Sequence, residues 1–190
     1  MSIAITGGIG AGKSYVCARL ATRGIAVYDC DAAAKRLMRT SQPLQQALRQ
    51  LVGNEVYDGE GHLQKRVLAA FLLASEANKQ AVNSVVHPAV ARDFMASGLQ
   101  WLESAILFES GFHRRVHFDH IVCVTAPDPL RIARIMARDG LSRQQAEAWL
   151  HRQMPQDELR RLCDYEIVND GLRDIDAQLD PFLQTISIKQ

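Results

Sequence analysis

The chain has 190 residues, of which 47% are hydrophobic and 23% charged, a composition that suits one domain or one domain carrying a lobe. Its 22 Lys and Arg side chains nearly balance 21 Asp and Glu, for a net charge of +1. The chain therefore lacks the excess of positive charge that is typical of proteins that bind nucleic acid or an anionic membrane. The longest apolar run, 67–74, is far shorter than the roughly 20 residues of a transmembrane helix. We expect a cytoplasmic protein with reduced cysteines that binds neither nucleic acid nor membrane, with a monomer as the default.

A strand, a glycine-rich loop and a helix open the chain. Residues 3–6 form a short apolar run that stops at the glycines, and apolar positions at helical spacing follow until Gly24. A second apolar run at 25–28 ends at Asp29. Because such crossovers are right-handed, the two strands are predicted to be parallel members of one sheet.

The loop between these strands, residues 7–14, reads GGIGAGKS and matches the pattern G-x-x-x-x-G-K-[ST]. In this setting the backbone N–H groups turn inward and hold phosphate at a helix N-terminus. We expect Lys13 to reach the β- and γ-phosphates of a nucleotide and the Ser14 hydroxyl to bind Mg²⁺. A plain glycine turn is the alternative, but it needs neither this length nor the Lys-Ser pair.

The loop alone does not separate small-molecule kinases from GTPases or motor ATPases. A guanine-specific Asn-Lys-x-Asp is missing, because the one Asn-Lys pair, at 78–79, is followed by Ala81 where the motif has Asp. Residues 58–61 (DGEG) superficially match the Asp-x-x-Gly of GTPases, but they follow no buried strand and we interpret them as a turn. A slow nucleotide-dependent switch is therefore the disfavoured alternative class.

Two carboxylates follow the second strand. Asp29 and Asp31 come at its carboxyl end, the edge of an open α/β sheet where ligands bind. One carboxylate can accept the proton of an acceptor hydroxyl, and the other can help to hold the metal through water. Capping of the next helix is the alternative role; for Asp29 the two interpretations are balanced, whereas for Asp31 we favour function.

Apolar residues recur at helical spacing from 31 to about 100, where no strand pattern is convincing. Pro43 and Pro88 suit the first turns of helices. Strand-like runs return at 101–108, 121–125 and 165–168, each followed by helix or loop. Alternating strands and helices with one helical insertion predict an α/β three-layer sandwich.

Three arginines lie along the helix that follows the run at 121–125. Arg131, Arg134 and Arg138 occupy positions i, i+3 and i+7, so they share one side of the helix. Guanidinium groups stabilise the charge that spreads over a transferred phosphoryl group. A solvated helix face is the ordinary explanation for such a stripe, and we prefer it for Arg131 and, less firmly, for Arg134, whereas Arg138 is the candidate for a lid over the site.

A polar turn, Asn169-Asp170-Gly171, follows the last predicted strand. It can present backbone and amide groups to a nucleobase, although the same residues also make ordinary turns.

Taken together, these motifs resemble the dephospho-coenzyme A kinase family over nearly the whole chain. The resemblance depends on the joint order of the segments 6–14 (TGGIGAGKS), 29–31 (DCD), 86–88 (VHP), 107–109 (LFE), 138–140 (RDG) and 167–171 (IVNDG). It implies ATP-dependent phosphorylation of the ribose 3′-hydroxyl of dephospho-CoA to give CoA. Another P-loop kinase, for a nucleoside, nucleoside monophosphate, gluconate or shikimate, is the alternative.

The same resemblance implies a three-layer P-loop kinase fold with a parallel sheet, a helical substrate-binding insertion and a helical lid. The core would span 1–30 and 101–190, with a lid at about 131–155, and the acceptor-binding insertion would span 31–100. Lys13, Asp31 and Arg138 would be catalytic, with Asp31 as general base, and Ser14 would ligate Mg²⁺. ATP would contact Gly10, Ala11, Gly12, Lys13, Ser14, Tyr15, Asn169 and Gly171, whereas dephospho-CoA would contact Asp31, Arg66, His87 and Glu109.

Two residues depart from the family pattern. Tyr15 stands where the family usually has Thr, and its hydroxyl projects too far from the backbone to touch the α-phosphate, so we expect weaker ATP binding without loss of activity. Lys35 stands where Arg is common, which replaces a planar guanidinium with a point charge.

Overall fold

The computed structural model describes residues 1–187, and the last three residues of the predicted core, 188–190, lie outside the described residues. The chain forms two compact units. The first contains residues 1–28, 99–109 and the chain from 117 onward, and the second contains residues 29–98 and 110–116. Within the described part of the chain, no helix combines the length and the apolarity that crossing a membrane requires. None of the four cysteines forms a disulfide.

A five-stranded parallel sheet forms the centre of the first unit. Its strands are β1 (Ile3–Thr6), β2 (Val27–Asp29), β3 (Trp101–Glu103), β4 (His120–Thr125) and β5 (Tyr165–Val168). They lie in the order β2-β3-β1-β4-β5, and Ile5 of β1 stands in register with both Glu103 and Val122. The predicted strand at 165–168 matches β5, and β4 begins one residue earlier than expected. The parallel sheet and the fold class are confirmed.

Within the described residues, 1–187, the helices are α1 (Lys13–Ala21), α2 (Cys30–Thr40), α3 (Gln42–Val52), α4 (Lys65–Ala74), α5 (Glu76–Ser97), α6 (Asp128–Asp139), α7 (Arg143–Leu150), α8 (Gln156–Arg161) and α9 (Ile175–Ser187). Short 3₁₀ turns cover Asn54–Val56 and Phe112–Arg114. Helices α2 to α5 belong to the second unit, and the others belong to the first.

Helices α1 and α9 cover the sheet with apolar side chains. Val16 and Leu20 of α1 are fully buried against the strands, and Leu179 and Phe182 of α9 pack into the same cluster. The cluster is continuous from β3 to β5, as a parallel sheet with covered faces requires. The start of α1, where the glycine loop ends, is therefore fixed by apolar packing along the rest of the helix.

The predicted strand at 101–108 is too long. Strand β3 ends at Glu103, and the chain then turns through residues 105–110. Leu107 is buried although it lies in this turn, whereas Ile106 is 37% exposed. A run of apolar residues predicts burial, but it does not distinguish a strand from a buried turn.

Helix α5 packs against α2, α3 and α4 within the second unit. Pro88 lies inside α5, so our expectation that it begins a helix is wrong. Proline removes one backbone donor from the helix, but buried Val82, Val86 and Val90 on both sides of it hold the helix in place. Residues 58–61 form the turn expected, since the Gly61 N–H donates to the Asp58 carbonyl at 3.1 Å.

Candidate active site

The glycine loop ends at the N-terminus of α1, at the carboxyl end of β1. Gly12 is the N-cap of α1 and has a left-handed backbone with φ of 92°. A side chain there would meet the amide nitrogen of Asn169, because a Cβ atom would lie 2.0 Å from Nδ2. Glycine is therefore required at position 12, both for the left-handed backbone and for the close approach of the Asn169 side chain. The helix N-terminus that follows has the polarity that attracts an anion.

Lys13 lies folded against the start of the loop. Its Nζ atom donates to the Gly7 carbonyl at 2.9 Å and lies 3.6 Å from Oε1 of Glu103. Both side chains are largely buried, with 10% and 16% of their surfaces exposed. Glu103 ends β3, the strand beside β1, so it supplies a carboxylate next to the loop lysine. Sequence reasoning missed Glu103 because the predicted strand ran past it.

Side chains from two distant elements hold the loop carbonyls. Arg134 of α6 donates to the carbonyls of Gly10 and Ala11 at 3.2 and 3.3 Å and also to Asn169. Asn169, which follows β5, donates from Nδ2 to the Ala11 carbonyl at 3.0 Å and is only 7% exposed. When carbonyls are bound from outside, the N–H groups of a loop can face inward as an anion site.

Arg131 is buried, so the prediction of a solvated position is wrong. Only 4% of the residue is exposed, and its Nε atom donates to the Ile9 carbonyl at 3.0 Å while a second nitrogen contacts the Asp128 carboxylate at 2.9 Å. Burial lowers the pKa of Arg131, and the Asp128 carboxylate opposes that shift. The three arginines do lie on one helix, but helical spacing does not show which of them is buried by another segment of the chain. Arg134 is half-buried, and its guanidinium group also donates to carbonyls of the loop.

A cavity of about 400 Å³ opens beside the loop. It is lined by Gly12, Tyr15, Arg134, Asn169, Gly171, Arg173, Asp174 and Ile175. Three residues predicted to contact ATP beyond the loop itself, Tyr15, Asn169 and Gly171, are thus brought together here. Backbone N–H groups of Arg173 and Leu172 donate to the Asp170 carboxylate and hold its pKa below the usual range, which fixes the turn that forms one wall.

We call residues 128–154 the α6–α7 region; Arg138 lies within it, and Glu109, which is outside it, contacts its C-terminal end. Arg138 is near the end of α6, 63% of its side chain is exposed, and it forms a two-point contact with the Asp139 carboxylate. Glu109 accepts a hydrogen bond from the Met154 N–H at 3.3 Å. Both predicted site residues belong to the first unit.

The remaining candidates lie in the second unit. Asp29 caps α2, since its carboxylate accepts from the Ala32 N–H at 2.9 Å, and Asp31 is an exposed residue in the first turn of that helix. Arg66 is exposed on α4. His87 lies on α5, and its pKa is lowered, first by burial and then by the positive charge of the nearby Arg115. A hydrogen bond with the Ser110 main chain opposes this shift.

A glycine loop with the pattern G-x-x-x-x-G-K-[ST], at the edge of a parallel sheet ordered β2-β3-β1-β4-β5 with helices on both faces, defines the fold as that of a P-loop kinase. A dephospho-CoA kinase family model matches residues 1–174. The dephospho-CoA kinase of Bacteroides fragilis is 38% identical, with 94% of this chain and 89% of the relative covered.

Solved structures share the fold of this chain. The crystal structure of TT1252 from Thermus thermophilus has a TM-score of 0.80 at 36% identity, with 97% of each chain covered. Dephospho-CoA kinase from Campylobacter jejuni has a TM-score of 0.68 at 21% identity, which shows the shared fold, with 99% of this chain and 98% of that chain covered. The chain belongs to the dephospho-CoA kinase family.

Proposed function

We propose that the protein transfers the γ-phosphoryl group of ATP to the ribose 3′-hydroxyl of dephospho-CoA, giving CoA and ADP. The observation that carries this proposal is the phosphate loop at 7–14, held by Arg134 and Asn169, in a chain whose family match covers residues 1–174. Shikimate kinase and deoxyadenosine kinase share the fold at low identity, so the fold by itself leaves the acceptor open.

Residues of the loop would bind the donor nucleotide. The backbone N–H groups at 10–15 would hold the phosphates, and Lys13 would move its ammonium group from the Gly7 carbonyl to phosphoryl oxygens as charge develops there. The cavity lined by Tyr15, Asn169 and Gly171 would hold the nucleoside. Arg138 would supply a guanidinium fork to the transferred group.

The second unit would bind the acceptor and supply the base. Asp31 would accept the proton of the attacking hydroxyl, because a carboxylate just after a sheet strand can reach the edge where the phosphate loop also ends. Arg66 and His87, together with Glu109 from the first unit, are the proposed acceptor contacts. A cationic Arg66 suits the phosphates of dephospho-CoA, and the lowered pKa of His87 favours its neutral form.

A magnesium ion would accompany the nucleotide. The part of the chain that the structure describes has no cluster of three or more His, Cys, Asp or Glu side chains with metal-binding spacing, but Mg²⁺ in kinases takes most of its ligands from phosphates and water. The Ser14 hydroxyl and the Glu103 carboxylate beside Lys13 are hard oxygen donors that fit this role. When bound, the ion neutralises charge on the β- and γ-phosphates.

The test is ADP release by the purified protein with ATP and Mg²⁺. Dephospho-CoA is compared with adenosine, AMP, gluconate, shikimate and no acceptor, and CoA is identified by mass spectrometry. We expect stoichiometric formation of ADP and CoA with dephospho-CoA alone. Turnover with another acceptor would reassign the second unit, and slow acceptor-independent hydrolysis would favour a nucleotide switch.

A further inference from the structure

Ile9, the third residue of the phosphate loop, is held by both ends of the α6–α7 region. Its N–H donates to Oε1 of Gln153 at 2.6 Å, and its carbonyl accepts from Nε of Arg131 at 3.0 Å. Arg131 lies in the first turn of α6 and Gln153 follows α7, so residues from opposite ends of this region meet at one residue of the loop.

The Ile9 side chain joins the same region by apolar contact. The α6–α7 region has a small core of its own, made by Ile132, Ile135 and Ala146. Ile9 packs against this core together with Leu141 and Leu150. One loop residue therefore contacts the region through its N–H, its carbonyl and its side chain.

Close packing at Gly8 makes the same junction rigid. A Cβ atom on Gly8 would lie 2.1 Å from a guanidinium nitrogen of Arg131 and 3.4 Å from Oε1 of Gln153. The peptide between Gly8 and Ile9 is thus enclosed by the two side chains. It cannot shift without moving them, because packed interiors transmit displacement instead of absorbing it.

We propose that Ile9 is a positioning residue that couples the phosphate loop to the α6–α7 region, so that nucleotide on the loop sets the position of Arg138. This proposal rests on the proposed phosphoryl transfer. Arg138 lies beyond the contacts of Arg131 and Arg134, on the part of α6 that is exposed. A region anchored at both ends to the loop would move with the loop, and the predicted lid at 131–155 would then not open as an independent flap.

Trp149 on α7 gives a readout that needs no acceptor. It is 37% exposed, whereas the second tryptophan, Trp101, is 5% exposed in the sheet core and supplies a constant background. The test measures tryptophan emission with Mg²⁺–ADP and with Mg²⁺ and the β,γ-imido analogue of ATP. We expect an emission change that is larger with the triphosphate and absent from Trp149→Phe.

Two variants remove the coupling in different ways. Gln153→Met keeps the length of the side chain and removes the acceptor of the Ile9 N–H, and Ile9→Ala removes the apolar contact. Gln156→Met is the matched control, because the Gln156 amide makes two hydrogen bonds of 2.9 Å to Ala126 and none of its hydrogen bonds is to the loop. We expect Gln153→Met and Ile9→Ala to lose most of the emission change while the nucleotide Kd from calorimetry stays within about threefold, and Gln156→Met to keep it.

Steady-state kinetics provide a second test of the coupling. Gln153→Met should lower kcat about three- to tenfold, the factor equivalent to one hydrogen bond, with little change in the KM for ATP. In an Arg138→Ala background the same substitution should change kcat less than twofold, because both changes act through one residue. The proposal would be overturned if either coupling variant kept the full emission change, or if the wild type showed none. It would also be overturned if the loss of the emission change were accompanied by an equal loss of nucleotide affinity, or if the effects of Gln153→Met and Arg138→Ala on kcat were additive. Failure of the acceptor assay alone would overturn the proposed function and leave the emission test intact.

Discussion

Polar contacts between distant segments surround the phosphate loop of the first unit, whereas the helical second unit is built mainly on apolar packing around α5. The loop carbonyls are bound by Arg131, Arg134 and Asn169, but α5 is fixed by buried valines and Phe94. A loop that must present N–H groups to an anion needs its carbonyls occupied elsewhere. A helix satisfies its own backbone, so its exposed side chains are free to serve an acceptor. We therefore propose that the two units have different tasks, which mutation can separate.

The largest expected effect is in the second unit. Asp31→Asn should lower kcat by on the order of 10²-fold or more, because the amide cannot accept the proton of the attacking hydroxyl. ATP binding, which we assign to the first unit, should remain nearly unchanged by calorimetry. A kcat within a few-fold of the wild type would remove Asp31 from the role of base.

Asp29→Asn is the matched control for that substitution. Asp29 caps α2 through its contact with the Ala32 N–H, and Asn is an equally good N-cap. We expect kcat within about twofold of the wild type. A large loss would show that the Asp29 carboxylate serves the site in addition to capping the helix.

The next effect is expected in the first unit. Asn169→Ala removes the donor to the Ala11 carbonyl and an acceptor of Arg134, so we expect the KM for ATP to rise about five- to tenfold, the equivalent of one buried hydrogen bond. The KM for dephospho-CoA should not change. Gln178→Ala is the control, because the Gln178 amide binds the Val168 main chain at the end of β5 and does not contact the loop. Equal effects of the two variants on the KM for ATP would contradict a special role of Asn169.

The same contrast explains how far the sequence could be interpreted. The loop at 7–14 and the strands beside it are local patterns, and the predicted sheet is confirmed. Arg131 and Gln153 could not be predicted as loop contacts, because their partner Ile9 lies 122 and 144 positions away and helical spacing is the same for a buried and a solvated arginine. Glu103 was not singled out, because it lies within a run of apolar residues that predicted a longer strand. Pro88 was placed in the first turn of a helix because proline prefers that position, but the packing of α5 overrides this preference.

A smaller effect is expected from the departure at position 15. Tyr15→Thr should lower the KM for ATP a few-fold, because a hydroxyl close to the backbone at the start of α1 can donate to phosphate, whereas the Tyr15 side chain extends outward and is 55% exposed. Initial rates at saturating dephospho-CoA measure this KM. An unchanged or higher value would show that the aromatic ring, as part of the cavity wall, contributes to nucleoside binding.

The smallest effect concerns stability and not catalysis. Asp176, in the first turn of α9, contacts Arg19 and Arg23 of the α1 segment, and these two guanidinium groups lower its pKa to about 2. Since the folded pKa lies below the unfolded value of about 3.9, this contribution to stability is fully present above about pH 4 and is lost as the pH falls toward about 2. Asp176→Asn should therefore lower the Tm by a few degrees at pH 7, and the difference from the wild type should be much smaller at pH 2 and vanish below it.

Asp180→Asn separates that effect from a general change in surface charge. Asp180 pairs only with Arg23 among the arginines of α1 and its neighbourhood, and 57% of its side chain is exposed, against 27% for Asp176. Exposed pairs contribute little because solvent screens them, so the Tm should fall less than in Asp176→Asn. Both variants should keep the wild-type kcat, because neither residue touches the loop. If Asp176→Asn showed the same Tm difference at pH 7 and at pH 2, the carboxylate would not be the group that joins α9 to α1, and apolar packing alone would hold the first unit together there.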